Sequence, residues 1–307
     1  MSLRLPSYAK VNLGLEVLGL REDGYHELRT IFQTISLHDD VTLRLTRKPG
    51  VSVRCDHPAV PKDGSNLAAK AALVLARHAG REGGVAITIE KRIPVAGGLG
   101  GGSSNAATVL IGLDRLWRLG LGPSGLNPLA RRIGADVPFF LFGGTALGLA
   151  RGDEIYPLQR QVRGELVLVD PGRPVSTAAV FRRTAARLTP RENSNTIFRF
   201  VSRDLEADAG FSALSNDLER AALEEAPGLR QAVVSIRGLL VREGARLAVL
   251  SGSGSSYFGL FDDAPKARRA ASALRAEGFA VHRCRTLSLD QYRRALRITA
   301  RSGVQRG

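Results

Sequence analysis

The sequence predicts an α+β protein of two domains, and three observations carry that reading. Period-two alternation dominates the first sixty residues, helical spacing alternates with strands from there on, and 307 residues exceed what one ordinary domain uses. The stretch "RGDEIYPLQRQVRG", Arg151 to Gly164, shifts in composition and reads as a connector. The expected boundary therefore separates a domain over 1–152 from one over 153–307.

Taken in order, "AKVNLGLEVLGL" alternates as a strand does, and "VTLRLTR" and "VSVRC" repeat the pattern with β-branched residues. "SNLAAKAALVLARHAG" places its apolar residues at helical spacing and stops on Gly80. "VAITIEKRI" is a strand that feeds a glycine-rich segment, and "SSNAATVLIGLDRLWRLG" is a helix closed by Gly120. "GPSGLNPLARRIGADVPFFLFGGTALGLA" supplies short helical pieces and then a strand flanked by glycines. "ELVLVDPG" opens a new strand, and "ARLAVLSGSGSSYFGLF" holds two strands around a second glycine turn, with helices before and after.

Composition excludes several function classes. No run of about 18 apolar residues occurs, and the start "MSLRLPSYAK" lacks the apolar core and cleavage site of a secretory signal, so a cytoplasmic protein without a membrane partner is expected. Cys55 and Cys284 are too few for a disulfide framework and read as free thiols. Cys55 lies near His57, but no second ligand pair follows, so no structural metal is expected. The net charge is +15, and eleven Lys or Arg fall between Ala264 and Gly307 against Glu277 and Asp290. There "APKARRAASALRAEG" reads as an amphipathic helix with a solvated basic face, without the interleaved aromatics of nucleic-acid recognition. The charge favours small anions, and the stretch after Asp290 is given no role.

"PVAGGLGGGSSNAATVL", Pro94 to Leu110, holds five glycines in the six residues Gly97 to Gly102, interrupted only by Leu99. Each glycine costs about 0.5–1 kcal/mol in a regular element. A loop without Cβ atoms can turn its N–H groups inward, and the helix that follows adds a partial positive end, which together cradle phosphate oxygens. A plain hinge or tight turn needs neither hydroxyl of Ser103 and Ser104 at the helix entrance. Two familiar phosphate loops fail on spacing. Gly97 and Gly102 are separated as in a P-loop, but Ser103 stands where its lysine belongs. Gly98-Leu99-Gly100 continues to Ser103 where a dinucleotide fingerprint needs a third glycine.

The segment resembles instead the phosphate signature of the GHMP kinases, through Pro94, Gly98, Leu99, Gly100, Gly101, Ser103 and Ser104. "LSGSGSSYF", Leu250 to Phe258, is similar to the third motif of that superfamily. The N-terminal "PSYAKVNLGLEVLGLREDGYHELRTIFQTISLHD" resembles its isoprenoid-pathway branch through Ala9, Lys10, Asn12, Leu13, Leu15, Arg21, Asp23, Gly24, Tyr25, His26 and Leu28. "GADVPFF", "DPG" and "SNDLE" extend the match over nearly the whole chain.

The resemblance implies a ribosomal-protein-like α/β domain followed by a ferredoxin-like α/β domain, with the active site in the cleft between them. It implies phosphoryl transfer from ATP to a tertiary hydroxyl of the erythritol part of a cytidine-diphosphate-linked small molecule. The ATP site would be Pro94, Val95, Ala96, Gly97, Gly98, Leu99, Gly100, Gly101, Gly102, Ser103 and Ser104, with Asn66 and Lys91 near the adenine. Asp136 would be the base and Lys10 the group that orients it and stabilises phosphoryl charge. Asp136 followed by Val-Pro also suits a helix N-cap, and Lys10 a solvated strand face. Asn12, Tyr25, His26 and Thr177 would bind substrate, the aromatic face and ring nitrogen of "YH" suiting cytosine; alone, "DGYH" is a hairpin turn. Mg²⁺ is implied by the chemistry, near hydroxyls such as Ser104, without a ligand motif. A monomer or weak homodimer is expected. The alternatives are a GHMP kinase acting on homoserine, mevalonate or a sugar, and a non-catalytic basic protein that binds nucleic acid.

Overall fold

Two long strands organise the computed structural model, which describes residues 1–186, 196–204 and 208–298. β1 (Ser2–Leu20) and β2 (His26–Thr46) pair antiparallel from Ser2 opposite Arg44 to Leu20 opposite His26. Gly24, at φ +79°, closes the turn between them, where Arg21 N donates to Tyr25 O at 2.7 Å. β3 (Val51–Cys55) and β4 (Gly84–Glu90) flank helix α1 (Leu67–His78), and β4 pairs with the C-terminal half of β2. Helices α2 (Gly101–Leu116), α3 (Gly122–Ile133) and α4 (Phe139–Phe142) follow, then β5 (Thr145–Leu149) and β6 (Glu154–Pro157). The resulting sheet runs β3-β4-β2-β5-β6, with β1 on β2. The expected domain boundary falls just before β6, whose residues nevertheless pair with β5 in the first sheet.

The second sheet has the order β10-β7-β9-β8, built from β7 (Glu165–Asp170), β8 (Leu247–Leu250), β9 (Tyr257–Phe261) and β10 (Ala280–Arg285), all antiparallel. Helices α5 (Thr177–Ala185), α6 (Thr196–Arg199), α7 (Glu219–Glu225) and α8 (Leu229–Arg242) lie between β7 and β8 in the chain, and α9 (Ala264–Ala276) between β9 and β10. This is the split βαβ arrangement of ferredoxin-like folds, as expected for the second domain, and the expected α+β class describes the molecule.

Burial divides the apolar residues into three groups. One lies between the first sheet and α1–α4, with Leu43, Ile87, Leu75 and Leu110 at 0–1% exposure. A second lies under α7–α9, with Ile236, Ala270 and Leu274 buried against the second sheet. The third joins the two sheets directly: Ala9, Val11 and Leu13 of β1 meet Leu166 and Leu168 of β7 and Phe258 of β9. Alternation along β1 then points Lys10 and Asn12 to the other face, where the site lies.

Helix α10 (Leu289–Leu296) returns to the first domain. Its Tyr292 is 1% exposed, donates its hydroxyl to Phe140 O, and belongs to the core of the first sheet. Helix α10 thus has a packing role that the basic composition of the stretch after Asp290 conceals.

Candidate active site

The glycine segment joins β4 to α2 and is held in place by its neighbours. Asp39, fully buried on β2, accepts from Arg92 N at 2.8 Å and Ile93 N at 2.9 Å, and its other oxygen accepts from Asn105 Nδ2 at 3.0 Å and from Lys91 Nζ. That carboxylate clamps the chain on entry to the loop. Ala96, Gly98 and Gly100 then take φ of +61°, +74° and +69°, and Gly100 is the left-handed residue before the helix. α2 begins at Gly101, two residues before the expected serine entrance, and no side chain caps it. The N–H groups of its first turn are left free to meet an anion.

The glycines also serve the protein's own packing. A Cβ at Gly97 would stand 2.4 Å from Ser256 Oγ, at Gly98 2.1 Å from Ser251 O, and at Gly100 2.8 Å from Phe140 Cζ. Two of these three neighbours belong to the second glycine turn, between β8 and β9. Ser256 N donates to Gly97 O at 3.2 Å and Ser251 Oγ to Gly98 O at 3.1 Å. The two glycine motifs are therefore packed backbone against backbone. Gly102 differs, since a Cβ there would meet only Leu67 Cδ1 at 3.7 Å.

Lys10 is the centre of the site. It is 3% exposed, so the solvated strand face is excluded. Its Nζ donates to Asn12 Oδ1 at 2.7 Å and to Gly98 O at 2.9 Å, and stands 3.5 Å from Asp136 Oδ2. Its backbone N donates to Leu99 O at 3.0 Å, which ties β1 to the loop a second time. Asp136 sits in the turn before α4, whose N-cap position is Pro138, so its side chain is free of a capping role. That carboxylate is 37% exposed and opens to a cavity of about 640 Å³.

The same cavity is lined by Lys10, Asn12, Tyr25, His26, Thr177, Gly98, Gly100 and Ser103. Asn12 accepts from Lys10 and donates to Thr30 Oγ1 at 2.7 Å, so it fixes Lys10 besides facing the cavity. Thr177 pairs with Ser253 Oγ at 2.8 Å, which ties α5 to the second glycine turn. Tyr25 is 54% exposed, while His26 keeps a buried Nε2 with no hydrogen-bond partner among the described residues. Burial lowers the His26 pKa below the ordinary imidazole value.

Other expected residues fall elsewhere. Asn66 caps α1, its Oδ1 accepting from Ala68 N at 2.8 Å and its Nδ2 donating to Pro61 O at 2.6 Å. Lys91 is paired with Asp39; neither residue lines the cavity, though Lys91 Nζ lies 3.0 Å from where a Cβ on Gly101 would be. Pro94 and Val95 precede the loop, and Val95 is partly exposed. Ser104 points inward, 1% exposed, with its oxygen accepting from Ser7 Oγ at 2.8 Å, so Ser103 and not Ser104 offers a hydroxyl to the cavity.

Three contributors escape the sequence reading. Phe181 on α5 lies 5.1 Å from the His26 ring and gives the cavity a second aromatic wall. Arg151 stacks over Tyr25 at 4.8 Å and is held by buried Asp153 at 2.8 Å. Asn216, within "SNDLE", donates to Leu250 O at 2.9 Å and Gly252 O at 2.7 Å and so sets the second glycine turn. Only the last had a signal, an asparagine inside a motif already noted.

Two family models match the chain, the GHMP kinases N terminal domain over residues 66–144 and the GHMP kinases C terminal over residues 203–280. A 4-diphosphocytidyl-2-C-methyl-D-erythritol kinase of Geobacter sp. (strain M21) is 44% identical over 272 residues, 89% of this chain and 94% of its own. One of Gloeobacter violaceus is 42% identical over 292 residues, covering 93% and 94%. The crystal structure of a 4-(cytidine 5'-diphospho)-2C-methyl-D-erythritol kinase aligns with a TM-score of 0.74 and 37% identity over 92% of this chain and 99% of that one. A homoserine kinase from Cytophaga hutchinsonii shares the fold, with a TM-score of 0.73 at 19% identity over 94% and 95%.

Proposed function

The chain belongs to the GHMP kinases, and from that premise we propose that it moves the terminal phosphoryl of ATP to the tertiary 2-hydroxyl of 4-diphosphocytidyl-2-C-methyl-D-erythritol, the compound its relatives are named for. The product would feed isoprenoid precursor synthesis by the route that does not use mevalonate. One observation carries the assignment. The Lys10 ammonium bridges the loop carbonyl of Gly98 and the carboxylate of Asp136, and Tyr25 and His26 line that same cavity.

The mechanism follows from what each group can do. Free N–H groups at the start of α2 receive phosphate oxygens of ATP, and the loop glycines let the backbone approach. Asp136 accepts the proton of the substrate hydroxyl as its oxygen bonds to the γ-phosphorus, while the bond from that phosphorus to the bridging oxygen breaks and ADP leaves. Lys10 orients Asp136 and offsets charge on the transferring group. Positioning both reactants supplies up to about 7–11 kcal/mol and one general base about 10²–10⁴-fold, so the cradle matters at least as much as the base.

Cytosine would stack between Tyr25 and Phe181, with His26 Nε2 bonding its edge, which supplies the partner that this nitrogen lacks. Thr177 would contact the substrate beside Ser253. Mg²⁺ fits as an ion carried in with ATP, since Ser103 and Asp136 bring two oxygen donors to the cavity and such sites keep several waters. Bound there, it would neutralise phosphate charge. Asn66 and Lys91 flank the helix entrance and would reach the adenine only along that side. The reading keeps a cytoplasmic enzyme, a monomer or weak homodimer, that acts on small molecules and not on nucleic acid.

ADP release from the purified chain tests the proposal, with the cytidylyl substrate, homoserine and mevalonate offered separately. The expected preference for the cytidylyl substrate in kcat/KM is on the order of 10³-fold or more, because a site built to hydrogen-bond one group strongly rejects molecules without it. Equal turnover of homoserine or mevalonate would overturn it.

A further inference from the structure

A second cavity, of about 710 Å³, opens at the other end of α2. The helix has 16 residues, so its last turn stands about 24 Å from the glycine loop. The cavity is bounded by that last turn, the chain leading into α3, and the end of α10, and it shares no lining residue with the active-site cavity.

Four arginines line it: Arg115, Arg118, Arg293 and Arg297. The one lining carboxylate, Asp114, is already engaged by the backbone, accepting from Leu121 N at 2.9 Å and Gly122 N at 3.2 Å. Among the described residues none of the four arginines forms an ion pair with a carboxylate. Arg115 donates to Leu296 O, and burial together with the charge of Arg297 makes its protonated form harder to keep. The first turn of α3 also faces the cavity through Gly122, Pro123 and Ser124, but Asp114 already accepts from Gly122 N and Pro123 has no N–H, so that helix end is occupied by a carboxylate. The remaining walls are apolar: Ile111, Leu126, Phe142 and Ile298.

Arginines near a helix C-terminus are ordinarily explained by its partial negative charge. That accounts for Arg115 on α2 and for Arg293 on α10 one helix at a time. It does not account for two such ends meeting around one hollow whose single carboxylate is already occupied. Guanidinium groups without a carboxylate partner bind phosphate groups through bidentate, charge-assisted hydrogen bonds. The apolar walls select what the phosphate is attached to.

We infer that this cavity is a second ligand site, built for a small organic phosphate or diphosphate with an apolar body. A concave hollow with greasy walls suits such a molecule and offers no stacking platform for a nucleic-acid strand. The competing occupant is the chain itself, since residue 299 follows directly on Ile298.

Calorimetric titration with hexyl diphosphate and with inorganic pyrophosphate tests the inference, using the full chain with its active site saturated by a non-hydrolysable ATP analogue. Hexyl diphosphate should bind with one-to-one stoichiometry and at least about tenfold tighter than pyrophosphate, because burying the chain adds apolar contact. The double variant Arg118→Gln/Arg297→Gln should weaken binding by about 30-fold or more, with kinase turnover unchanged as evidence that it folds. Arg118→Lys/Arg297→Lys should retain an intermediate affinity. A chain ended at Ile298 should bind within about threefold of the full chain. Affinity that survives the Gln variant, that disappears when the ATP analogue is present, or that emerges only after the tail is removed would each overturn the assignment.

Discussion

Lys10 can be buried on an apolar strand only because acceptors meet it there. An unpaired ammonium would cost several kcal/mol, and Asn12 Oδ1, Gly98 O and Asp136 Oδ2 supply its partners. The lysine was legible in the sequence as a lone cation in an alternating strand; its acceptors were not, because Asn12 Oδ1 and Gly98 O are brought to it by side-chain orientation and by a loop 88 residues away. Asn12, expected to touch substrate, also proves to position Lys10 through a bond to Thr30 on the paired strand. Asn66 and Lys91 have structural roles that were hidden for a similar reason, since an N-cap and a buried ion pair with Asp39 leave no local mark that separates them from ligand contacts. His26 carries a pH prediction. Burial lowers its pKa below 6.5, so it stays neutral at and above pH 7 and takes a proton only on the acid side. KM for the cytidylyl substrate should stay flat from pH 7 to 8.5 and rise as pH falls through the lowered pKa. In His26→Ala KM should be raised about tenfold or more at pH 7, and the acid rise should vanish. The same acid rise in wild type and variant would exclude the role.

The loop, as an element, was visible in the sequence as five crowded glycines, but the reason for each was not. A phosphate cradle explains the crowding in general terms, whereas the structure separates glycines that the protein itself requires from one that it does not. Gly98→Ala would force a left-handed residue and place a Cβ 2.1 Å from Ser251 O. The backbone conformation alone costs about 1–3 kcal/mol, so urea unfolding should report at least that loss, with ATP affinity reduced as the loop shifts. Gly102→Ala meets only ordinary contact at 3.7 Å within a helix, and should leave stability unchanged or raise it by about 0.5–1 kcal/mol. A weaker ATP affinity in that stable variant would mark close approach of a phosphate. The strands show the other limit of the sequence. β2 runs unbroken from His26 to Thr46, yet only its last third alternates clearly. Residues 30–35 are buried on both faces, between the helices and the second sheet, and periodicity disappears where neither face sees water.

For the whole molecule, the two-domain α+β architecture was readable from element order and from the resemblance, while the contacts that join the domains were not. α10 looked like part of a basic tail, but Tyr292 fills the first core beside Phe140, the ring that abuts Gly100. Tyr292→Ala should destabilise the protein by about 3–5 kcal/mol, as other buried aromatic truncations do, and unfolding in urea reads it directly. Both domains build the cleft, the first giving Lys10, Asp136 and the loop, the second the turn from Ser251 to Ser256 that braces it. The central claim is that this cleft holds ATP by its backbone and uses Asp136 to accept the proton. Turnover and equilibrium ATP affinity of Asp136→Asn, measured on one preparation, test it most directly. The account predicts a loss of about 10²–10⁴-fold in kcat with ATP affinity within a few-fold of wild type; turnover that survives within a few-fold would contradict it.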